Sequence, residues 1–352
     1  AGHEISVGAP DIGPDLRSQI EALGADVNDT PLKRTGTGII ADLNYGAVLW
    51  RLMAHTRPDI VLTYTIKPNI WGAFAAARVG IPSVAMVTGL GYAFTNSGAA
   101  SLRQILVRGV ARLLYRAATK RNRRVLFQNP DDLNDFIAAG CLEDRDKTAI
   151  INGSGVDMVH YARAPLPDAP VFLMIARLLR NKGVHEYAEA SMRILQEYPT
   201  ARCLLVGPFD EGPDSVTRAD VDRWVAGGLE YFGAVEDVRP HMAACRTYVL
   251  PSYREGTPRS VLEAMATGRP IITSDAPGCR ETVKDGVNGY LVPIRDSEVL
   301  ADRMRDIIND PVRTAEMGKQ SFQFAKEKYD VWKVNEQIMR NLGLSEDAVV
   351  DD

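Results

Sequence analysis

The chain has 352 residues, of which 45% are hydrophobic and 24% charged, and its formal net charge is −4. This length predicts two domains that each bury a core, and the composition is that of an ordinary soluble globular protein. The acidic balance argues against nucleic acid as the main partner. No apolar run is long enough to span a bilayer. The four scattered cysteines include no C-x-x-C pair, which favours a reducing cytoplasm over disulfides or a zinc site.

Strand-like and helix-like segments alternate in the first part of the chain. Each run of β-branched and aromatic residues is followed by residues of helical periodicity. This alternation predicts parallel strands joined by right-handed helical crossovers. The predicted strands are 4–9, 59–65, 82–87 and 124–129, and the helical patterns that follow them are 15–23, 69–78, 101–120 and 131–139.

The helix predicted at 101–120 has an excess of basic residues, and no acidic residue lies between Ser101 and Arg124. Residues four apart share one side of a helix, so the basic side chains lie on one face and apolar ones on another. Either the helix packs on the core with its basic face in water, or it contacts an anionic membrane, where each basic side chain contributes about 1 kcal/mol. The basic face is Arg108, Arg112, Arg116 and Lys120, and the apolar face is Leu102, Ile105, Leu106, Gly109 and Leu113.

A proline-rich stretch, ARAPLPDAP (162–170), is typical of a linker, and a second alternating set of segments follows it. In doubly wound sheets, ligands bind beyond the carboxyl ends of the strands. The predicted strands are 171–176, 203–207, 229–233, 247–251, 270–274 and 289–293, and the residues at or after their ends include Arg177, Gly207, Val235, Glu255 and Ser274.

The segment EGTPRSVLE (255–263) places two carboxylates eight positions apart, between a buried strand and a helix that ends near Gly268. Because the helix begins near Pro258, the N–H groups of Arg259 and Ser260 lie at its positive end and can face an anion. One carboxylate at a sugar, the other at a ribose and the amides between them at a diphosphate would bind a nucleotide sugar. A glutamate pair at this spacing also occurs by chance and on solvated helix faces, and the position of this pair after a buried strand favours a binding site.

A second turn, MIARLLRNKG (174–183), carries Arg177 and Lys182 after another buried strand. We expect both side chains to lie in a solvated loop. One interpretation is that the segment is simply a loop between a strand and a helix. The other is a cation pair: arginine offers a forked pair of donors and lysine a mobile point charge, and both suit phosphate.

Two other ligand classes have weaker signals. D-x-D pairs, which can hold a divalent ion on a diphosphate, occur at Asp144–Asp146 and Asp220–Asp222, but the first lies in a charged loop and the second in a polar helix. We therefore expect structural roles for both pairs. The G-x-G segments at 36–38, 89–91 and 153–155 lack the third glycine of a dinucleotide fingerprint, which argues against a nicotinamide cofactor.

The combination of strand-R-x4-K-G and strand-E-x7-E resembles the C-terminal half of retaining glycosyltransferases of family 4. These enzymes have the GT-B fold, in which two Rossmann-like doubly wound α/β domains face each other across a cleft. The resemblance covers nearly all of residues 58–342. It continues through GPFDEG (207–212), YFGAVEDV (231–238), RPIITSDAPGCRETV (269–283) and GVNGYLV (286–292). TYTIKPN (63–69), VTGLGYAF (87–94) and NGSGVD (152–157) resemble the branch that builds bacterial surface polysaccharides on lipid carriers.

The resemblance implies a role for each candidate residue. Arg177 and Lys182 would stabilise the departing phosphate in place of a metal ion, so that neither metal nor cofactor is expected. Glu255 would hold donor-sugar hydroxyls and help stabilise positive charge at the anomeric carbon, and Glu263 would accept hydrogen bonds from the ribose. The other donor-binding residues would be Gly256, Thr257, Pro258, Arg259, Ser260 and Gly207, with Val235 near the base. An acceptor or sugar pocket would include Lys67, Gly89 and Gly91. The two glycines would let the backbone approach a sugar closely, and the alternative for them is a plain tight turn.

The resemblance also implies domain limits. Residues 1–164 would form an N-terminal Rossmann-like acceptor domain that lacks the family's first strand and glycine-rich loop, and 165–310 a nucleotide-sugar domain. Helices in 311–342 would cross back to the first domain, and 343–352 would be a disordered tail.

The expected activity is retaining, metal-independent transfer of a hexose or N-acetylhexosamine from a UDP-sugar to a polyprenyl-diphosphate-linked sugar. GDP-mannose stays open as the donor. No histidine follows the strand at 82–87, where many family members carry one, which favours a front-face displacement in which the donor's own β-phosphate takes the acceptor proton. The enzyme would bind peripherally to the inner face of the cytoplasmic membrane. The alternatives are a nucleotide-sugar-binding subunit without turnover and a GT-B sugar-nucleotide epimerase.

Overall fold

The computed structural model describes residues 2–32, 38–90, 102–212 and 214–344, excepting the side chains of Ile39 and of residues 102–104. Gly91, which was predicted in the sugar pocket, lies outside the described residues, as does the predicted tail from residue 345 onward.

The chain divides into two compact units. The first is Ala1–Leu126 with Asn134–Ala149, and the second is Phe127–Leu133 with Ile150–Asp352. Residues 150–164, which the sequence analysis assigned to the first domain, therefore belong to the second unit. The reason is hydrogen bonding: the backbone of Val156 donates to Tyr329 O (2.7 Å) and accepts from Val331 N (3.0 Å).

The first unit contains two parallel sheets. Strands β1 and β2 pair with each other, and a separate sheet has the order β3-β4-β5-β6. β4 is buried throughout, whereas Ile5 of β1 is 58% exposed. The strands are β1 Ile5–Ala9, β2 Ala25–Asp29, β3 Val61–Tyr64, β4 Ser83–Val87, β5 Arg124–Phe127 and β6 Thr148–Ile150, and the helices are α1 Pro14–Ala22, α2 Ile39–Thr56, α3 Ile66–Val79, α4 Leu102–Thr119 and α5 Pro130–Ala138. Three of these elements cross the limit between the units, because Phe127 of β5, Ile150 of β6 and residues 130–133 of α5 belong to the second unit.

Helix α2 is an element that the sequence analysis did not predict. Its apolar side chains pack against α3 in a small core of Tyr45, Leu49, Met53, Ala75 and Ala76. The other predicted helices of this unit are present with small shifts at their ends.

The second unit is built on a six-stranded sheet of order β9-β8-β7-β10-β11-β12, and all its pairings are parallel. Counted from β7, this is the order 3-2-1-4-5-6 of dinucleotide-binding folds, which reverses direction between β7 and β10. The strands are β7 Val171–Ile175, β8 Arg202–Val206, β9 Glu230–Tyr231, β10 Thr247–Leu250, β11 Ile271–Ser274 and β12 Gly289–Val292. The helices are α6 Val184–Glu197, α7 Arg218–Ala226, α8 Arg239–Ala244, α9 Arg259–Ala266, α10 Ser297–Asn309, α11 Pro311–Phe324 and α12 Val331–Leu342.

The central strands of this sheet are buried on both faces, as expected where helices cover a parallel sheet. Phe172, Leu173 and Tyr248 are completely buried. The hydroxyl of Tyr187, on α6, lies 3.1 Å from Phe172 O and 3.0 Å from Leu204 O, so it meets carbonyl acceptors inside the core.

Within the described ranges, every helix is too short or too polar to span a bilayer. All four cysteines are buried thiols without a disulfide, as their scattered spacing indicated.

Replacing Leu173 with alanine should lower the free energy of unfolding by about 2 to 5 kcal/mol, because it leaves a cavity at the centre of the second unit's sheet. Val225→Ala, in α7 of the same unit, is the matched control: Val225 is 46% exposed, so its loss should stay within about 0.5 kcal/mol. Urea denaturation followed by circular dichroism measures both. Equal losses in the two variants would contradict the described core.

Candidate active site

The candidate site of the second unit lies at the carboxyl ends of β7 and β10, where the strand order reverses. This is where ligands bind in open parallel sheets. Arg177 and Lys182 follow β7, and Glu255 follows β10. The parallel pairing of β7 with β10 brings the two loops together.

Lys182 and Glu255 form the central contact between these loops. Lys182 Nζ lies 2.5 Å from Glu255 Oε1, and Ser252 Oγ donates to the same oxygen at 2.8 Å. Both of these hydrogen bonds use Oε1, and a carboxylate can accept about four, so Oε2 keeps its capacity to accept others.

The backbones of the two loops are in contact as well. Tyr253 N donates to Asn181 O at 2.9 Å, and Ser252 Oγ lies 3.1 Å from the same carbonyl. Gly183 has φ +75°, and a Cβ there would lie 2.1 Å from Pro251 O. Only glycine fits this close approach, which therefore fixes the position of Lys182.

The expectation that Lys182 lies in a solvated loop is wrong. Its side chain is 21% exposed and that of Glu255 is 13% exposed, because the β10 loop covers the turn after β7. Arg177 is 58% exposed, so the expectation holds for that residue. The two cations thus differ in how much water surrounds them.

Arg177 is held by Asp210, whose Oδ2 accepts from Arg177 Nη1 at 2.6 Å. Asp210 belongs to the loop after β8, which begins with Gly207. A Cβ at Gly207 would lie 1.8 Å from Ala176 O, and Gly207 N donates to Gly233 O at 2.7 Å. Gly207 therefore lets the chain pass directly beside the residue that precedes Arg177.

The loop from Glu255 to Pro258 leads into α9. Pro258 is the N-cap residue, and its carbonyl accepts from Val261 N and Leu262 N. The first amides of α9, at Arg259 and Ser260, therefore occupy the positive end of the helix. The Ser260 hydroxyl lies 2.7 Å from Tyr248 OH, which ties this end to β10. Thr257 packs beside Gly153, where a Cβ would lie 2.8 Å from the Thr257 Cβ.

Glu263 borders a cavity of about 370 Å³. Its side chain is 13% exposed, and Arg259 Nη2 lies 3.9 Å from its Oε1. Burial raises the pKa of Glu263, and a hydrogen bond from Tyr161 opposes that rise. Burial and the nearby Glu263 carboxylate raise the pKa of Tyr161 to about 12, so the phenol stays a proton donor at neutral pH. The lining residues are Ser154, Gly155, Val156, Asp157, His160, Tyr161, Arg259, Glu263 and Val331.

The remaining predicted residues have different surroundings. Val235 is partly buried against the core of the second unit. Lys67 and Gly89 belong to the first unit. Lys67 Nζ donates to Asp42 Oδ1 at 2.7 Å, and Gly89 follows β4 with φ +123°. The predicted roles of these residues stay predictions.

Each D-x-D pair has a carboxylate that accepts a local hydrogen bond. Asp144 accepts from Asp146 N at 3.0 Å, and Asp220 forms a capping box with Thr217 at the start of α7. Across the described parts of the chain, no three side chains among His, Cys, Asp and Glu are grouped as metal ligands.

Sequence reasoning missed several residues that contact the predicted ones. Asp210 lies inside GPFDEG (207–212) and Ser252 directly follows the predicted strand 247–251, but neither pattern indicates which residue they contact. Tyr161 and His160 come from the segment before the linker, and no spacing in the sequence relates them to Glu263. Asn129 follows β5, and its only sequence signal is that of a helix N-cap.

Comparison with known families divides the chain as the motifs do. Residues 1–153 match the family described as a glycosyl transferase 4-like domain. Residues 169–310 match the family described as glycosyl transferases group 1.

Two bacterial relatives cover most of the chain. The N,N'-diacetylbacillosaminyl-diphospho-undecaprenol alpha-1,3-N-acetylgalactosaminyltransferase of Campylobacter jejuni is 28% identical over 292 residues, which is 79% of this chain and 75% of that protein. The UDP-Gal:alpha-D-GlcNAc-diphosphoundecaprenol alpha-1,3-galactosyltransferase of Escherichia coli is 27% identical over 288 residues, which is 78% of this chain and 72% of that protein.

Solved structures agree on the fold. The crystal structure of Anabaena HepE in complex with UDP-glucose has a TM-score of 0.77 at 21% identity, over 96% of this chain and 91% of that one. A sucrose-phosphate synthase from Thermosynechococcus elongatus has a TM-score of 0.76 at 18% identity, over 96% and 97%. The predicted fold class and family are confirmed. The chain therefore belongs to the family 4 glycosyltransferases with the GT-B fold, with a glycosyl transferase 4-like domain followed by a group 1 domain.

Proposed function

We propose that this enzyme transfers a hexose or N-acetylhexosamine from a UDP-sugar to a polyprenyl-diphosphate-linked sugar, with retention of configuration. The observation that carries the proposal is the pairing of Lys182 with Glu255 where the strand order reverses, next to a helix that bears Glu263. The names of the Campylobacter and Escherichia relatives, which describe transfer to diphospho-undecaprenol-linked sugars, support the acceptor class.

Each group has a part in such a transfer. Glu263 accepts hydrogen bonds from ribose hydroxyls, and the amides that open α9 face the diphosphate. Arg177 and Lys182 stabilise the negative charge that grows on the leaving phosphate. Lys182 is 21% exposed, and a preorganised cation acts strongly where little water surrounds it. These two side chains would take the place of a metal ion. We therefore propose that the reaction needs no metal.

Retention follows from a front-face displacement. The bond from the anomeric carbon to the phosphate oxygen breaks, and the acceptor oxygen bonds to that carbon on the same face. The acceptor proton passes to an oxygen of the departing β-phosphate. Glu255 Oε2 can accept from the donor sugar and offset positive charge at the anomeric carbon, while Lys182 and Ser252 hold Oε1.

Two alternatives predict different outcomes. A binding subunit would hold UDP without turnover, and an epimerase would change the sugar without an acceptor. Incubating the chain with UDP-sugars, GDP-mannose and lipid-linked acceptors, followed by mass spectrometry, separates these outcomes. A new glycolipid supports transfer, and its donor dependence identifies the base and the sugar. Activity that persists with a chelator supports a metal-independent reaction.

Arg177→Ala and Lys182→Ala should each lower kcat/KM by about two to four orders of magnitude, because each removes one electrostatic donor from the transition state. Only Lys182→Ala should also lower stability, since it leaves the half-buried Glu255 carboxylate without its cation. Steady-state kinetics and thermal denaturation measure the two effects.

Arg180→Ala is the matched control for the proposed phosphate contacts of Arg177 and Lys182. Arg180 lies in the same turn and is exposed, so its loss removes one positive charge without removing a proposed contact. Turnover like the parent's is expected for that variant. If Arg177→Ala and Lys182→Ala behave like Arg180→Ala, the proposed roles of Arg177 and Lys182 at the leaving phosphate are wrong.

The two glutamates should differ in what they bind. Glu263→Gln should weaken UDP binding, whereas Glu255→Gln should leave UDP binding nearly intact and reduce transfer. Burial raises the pKa of Glu263, so its carboxylate forms only at higher pH than for an exposed glutamate. UDP affinity of the parent should therefore rise with pH above the usual range of a glutamate pKa, and this rise should be absent in Glu263→Gln.

Isothermal titration calorimetry with UDP at a series of pH values tests this. Glu298→Gln, at a 75% exposed position in α10, serves as the control and should bind UDP like the parent. Parental UDP binding by both Glu263→Gln and Glu255→Gln would refute the ribose role.

We further propose that α4 attaches the first unit to an anionic membrane surface, where a lipid-linked acceptor resides. Its apolar face is exposed: Ile105 is 56%, Leu106 69% and Leu113 67% exposed. An exposed apolar face beside basic residues is typical of helices that lie in a membrane interface. Of the basic face, Arg112 is exposed.

Part of the basic face is paired with an acidic residue or removed from water, which the sequence did not indicate. Glu143 forms ion pairs with both Arg116 and Lys120, and Arg108 is half-buried. The acidic partner escaped the sequence analysis because it lies outside 101–124. Apolar insertion should therefore contribute more to membrane binding, and charge less, than four free basic residues would predict.

Leu106→Gln with Leu113→Gln should abolish flotation of the protein with liposomes that contain anionic lipid, while sparing UDP binding. Parental binding should rise with anionic lipid and fall with salt, and charge reversal at Arg108, Arg112 and Arg116 should weaken it. Leu23→Gln, at an 86% exposed leucine outside α4, is the control. Unchanged flotation of the α4 double variant would mean that this helix faces solvent and does not bind the membrane.

A further inference from the structure

Two completely buried polar residues at the start of α5, Asn129 and Asp132, contact the loop that carries Glu255. Asn129 Nδ2 donates to Gly256 O at 2.8 Å and lies 3.4 Å from Glu255 O. These contacts join residues 126 and 127 positions apart in the chain, and all of these residues belong to the second unit.

Asn129 is itself held in place from both ends of its amide. Its Oδ1 accepts from Asp132 N at 2.7 Å, which is the N-cap arrangement of a helix. Its Nδ2 also lies 3.0 Å from Asp132 Oδ2. The other oxygen of Asp132 accepts from Arg254 Nε at 3.0 Å. A buried amide with these partners has a fixed orientation, because turning it over would place its NH₂ group against the Asp132 N–H.

Polar contacts therefore hold the loop at three consecutive residues. Arg254 is bound through its side chain, and Glu255 and Gly256 through their carbonyls. On the other side, Gly278 packs so closely that a Cβ there would lie 2.1 Å from Glu255 O and 2.5 Å from Gly256 O. Glu255 N donates to Pro277 O at 2.9 Å. The peptide between Glu255 and Gly256 has little freedom to rotate.

We propose that Asn129 is a positioning residue for sugar transfer. This inference rests on the proposed function, in which Glu255 and the backbone of Gly256 and Thr257 contact the donor sugar. Gly256 has no side chain of its own to restrict its backbone. The Asn129 amide supplies that restriction from outside and keeps the Glu255 carboxylate aimed at the sugar. Misplacement of a reacting group by about 1 Å can cost about 100-fold in rate.

The placement also predicts what Asn129 does not control. Glu263 and its cavity are lined by other segments, and neither Asn129 nor Asp132 is among the lining residues. Loss of the Asn129 amide should therefore lower kcat, with little change in the affinity for UDP alone. A residue that only stabilises the fold would not produce this division.

Asn129→Ser is the decisive variant. Serine is as good an N-cap as asparagine, so the start of α5 is kept, but its hydroxyl is too short to reach Gly256 O. We expect kcat to fall about 10- to 100-fold while the dissociation constant for UDP changes less than about threefold. Asn129→Asp is nearly isosteric but places a carboxylate against two carbonyl oxygens and Asp132. It should be at least as impaired as Asn129→Ser.

Asn288→Ala is the matched control. Asn288 is a buried asparagine of the same unit that accepts from Lys284 N and donates to Thr282 O, and it contacts none of the proposed site residues. Its loss should lower the melting temperature without lowering kcat at a temperature where the variant is folded.

Transfer kinetics on the donor found active with the parent, with UDP calorimetry and thermal denaturation, distinguish the outcomes. Parental kcat in Asn129→Ser, or a loss of kcat no larger than in Asn288→Ala, overturns the inference. So does a loss of UDP affinity that accounts for the whole effect. If the parent itself transfers no sugar from any donor, the proposed function fails instead.

Discussion

The hydrogen-bonded ion pair between Lys182 and Glu255 is the contact on which the candidate site depends. It joins the loops after β7 and β10, and both side chains are mostly removed from water. Such a pair is costly to break on one side only, because the remaining charge loses both its partner and its hydration. Ser252 satisfies the same carboxylate oxygen. The two loops are thereby kept together before any substrate binds.

The backbone makes this pair possible. β7 and β10 are neighbours only because the sheet reverses its strand order there, and glycine is required where the loops cross. At Gly183 and Gly207 a Cβ would overlap a carbonyl oxygen of the adjacent loop. These glycines, and the strand order that places them, position the cation of one loop beside the carboxylate of the other. The position of the charged side chains therefore depends on close backbone packing at these glycines.

The sequence predicted the local parts of this arrangement and missed the distant ones. Arg177, Lys182, Glu255 and Glu263 became candidates because buried strands mark where a parallel sheet ends, and that signal is local. Three features that were missed depend on contacts between residues far apart in sequence. They are the burial of Lys182, the ion pair of Arg116 with Glu143 and the hydrogen bond of Asn129 to Gly256. No periodicity records such contacts. The limit between the units was misplaced for the same reason, since Val156 pairs with Tyr329.

The two cations of the site differ in what binding a diphosphate would require of them. Arg177 is exposed and paired with Asp210, and exposed pairs contribute only about 0 to 1 kcal/mol. Exchanging Asp210 for phosphate therefore costs little, and the forked guanidinium suits a phosphate. Lys182 cannot leave Glu255 so easily, because the carboxylate would remain half-buried and unpaired. Lys182 can instead meet the phosphate with its remaining donors, which would keep the donor sugar and the leaving group beside one fixed pair of charges.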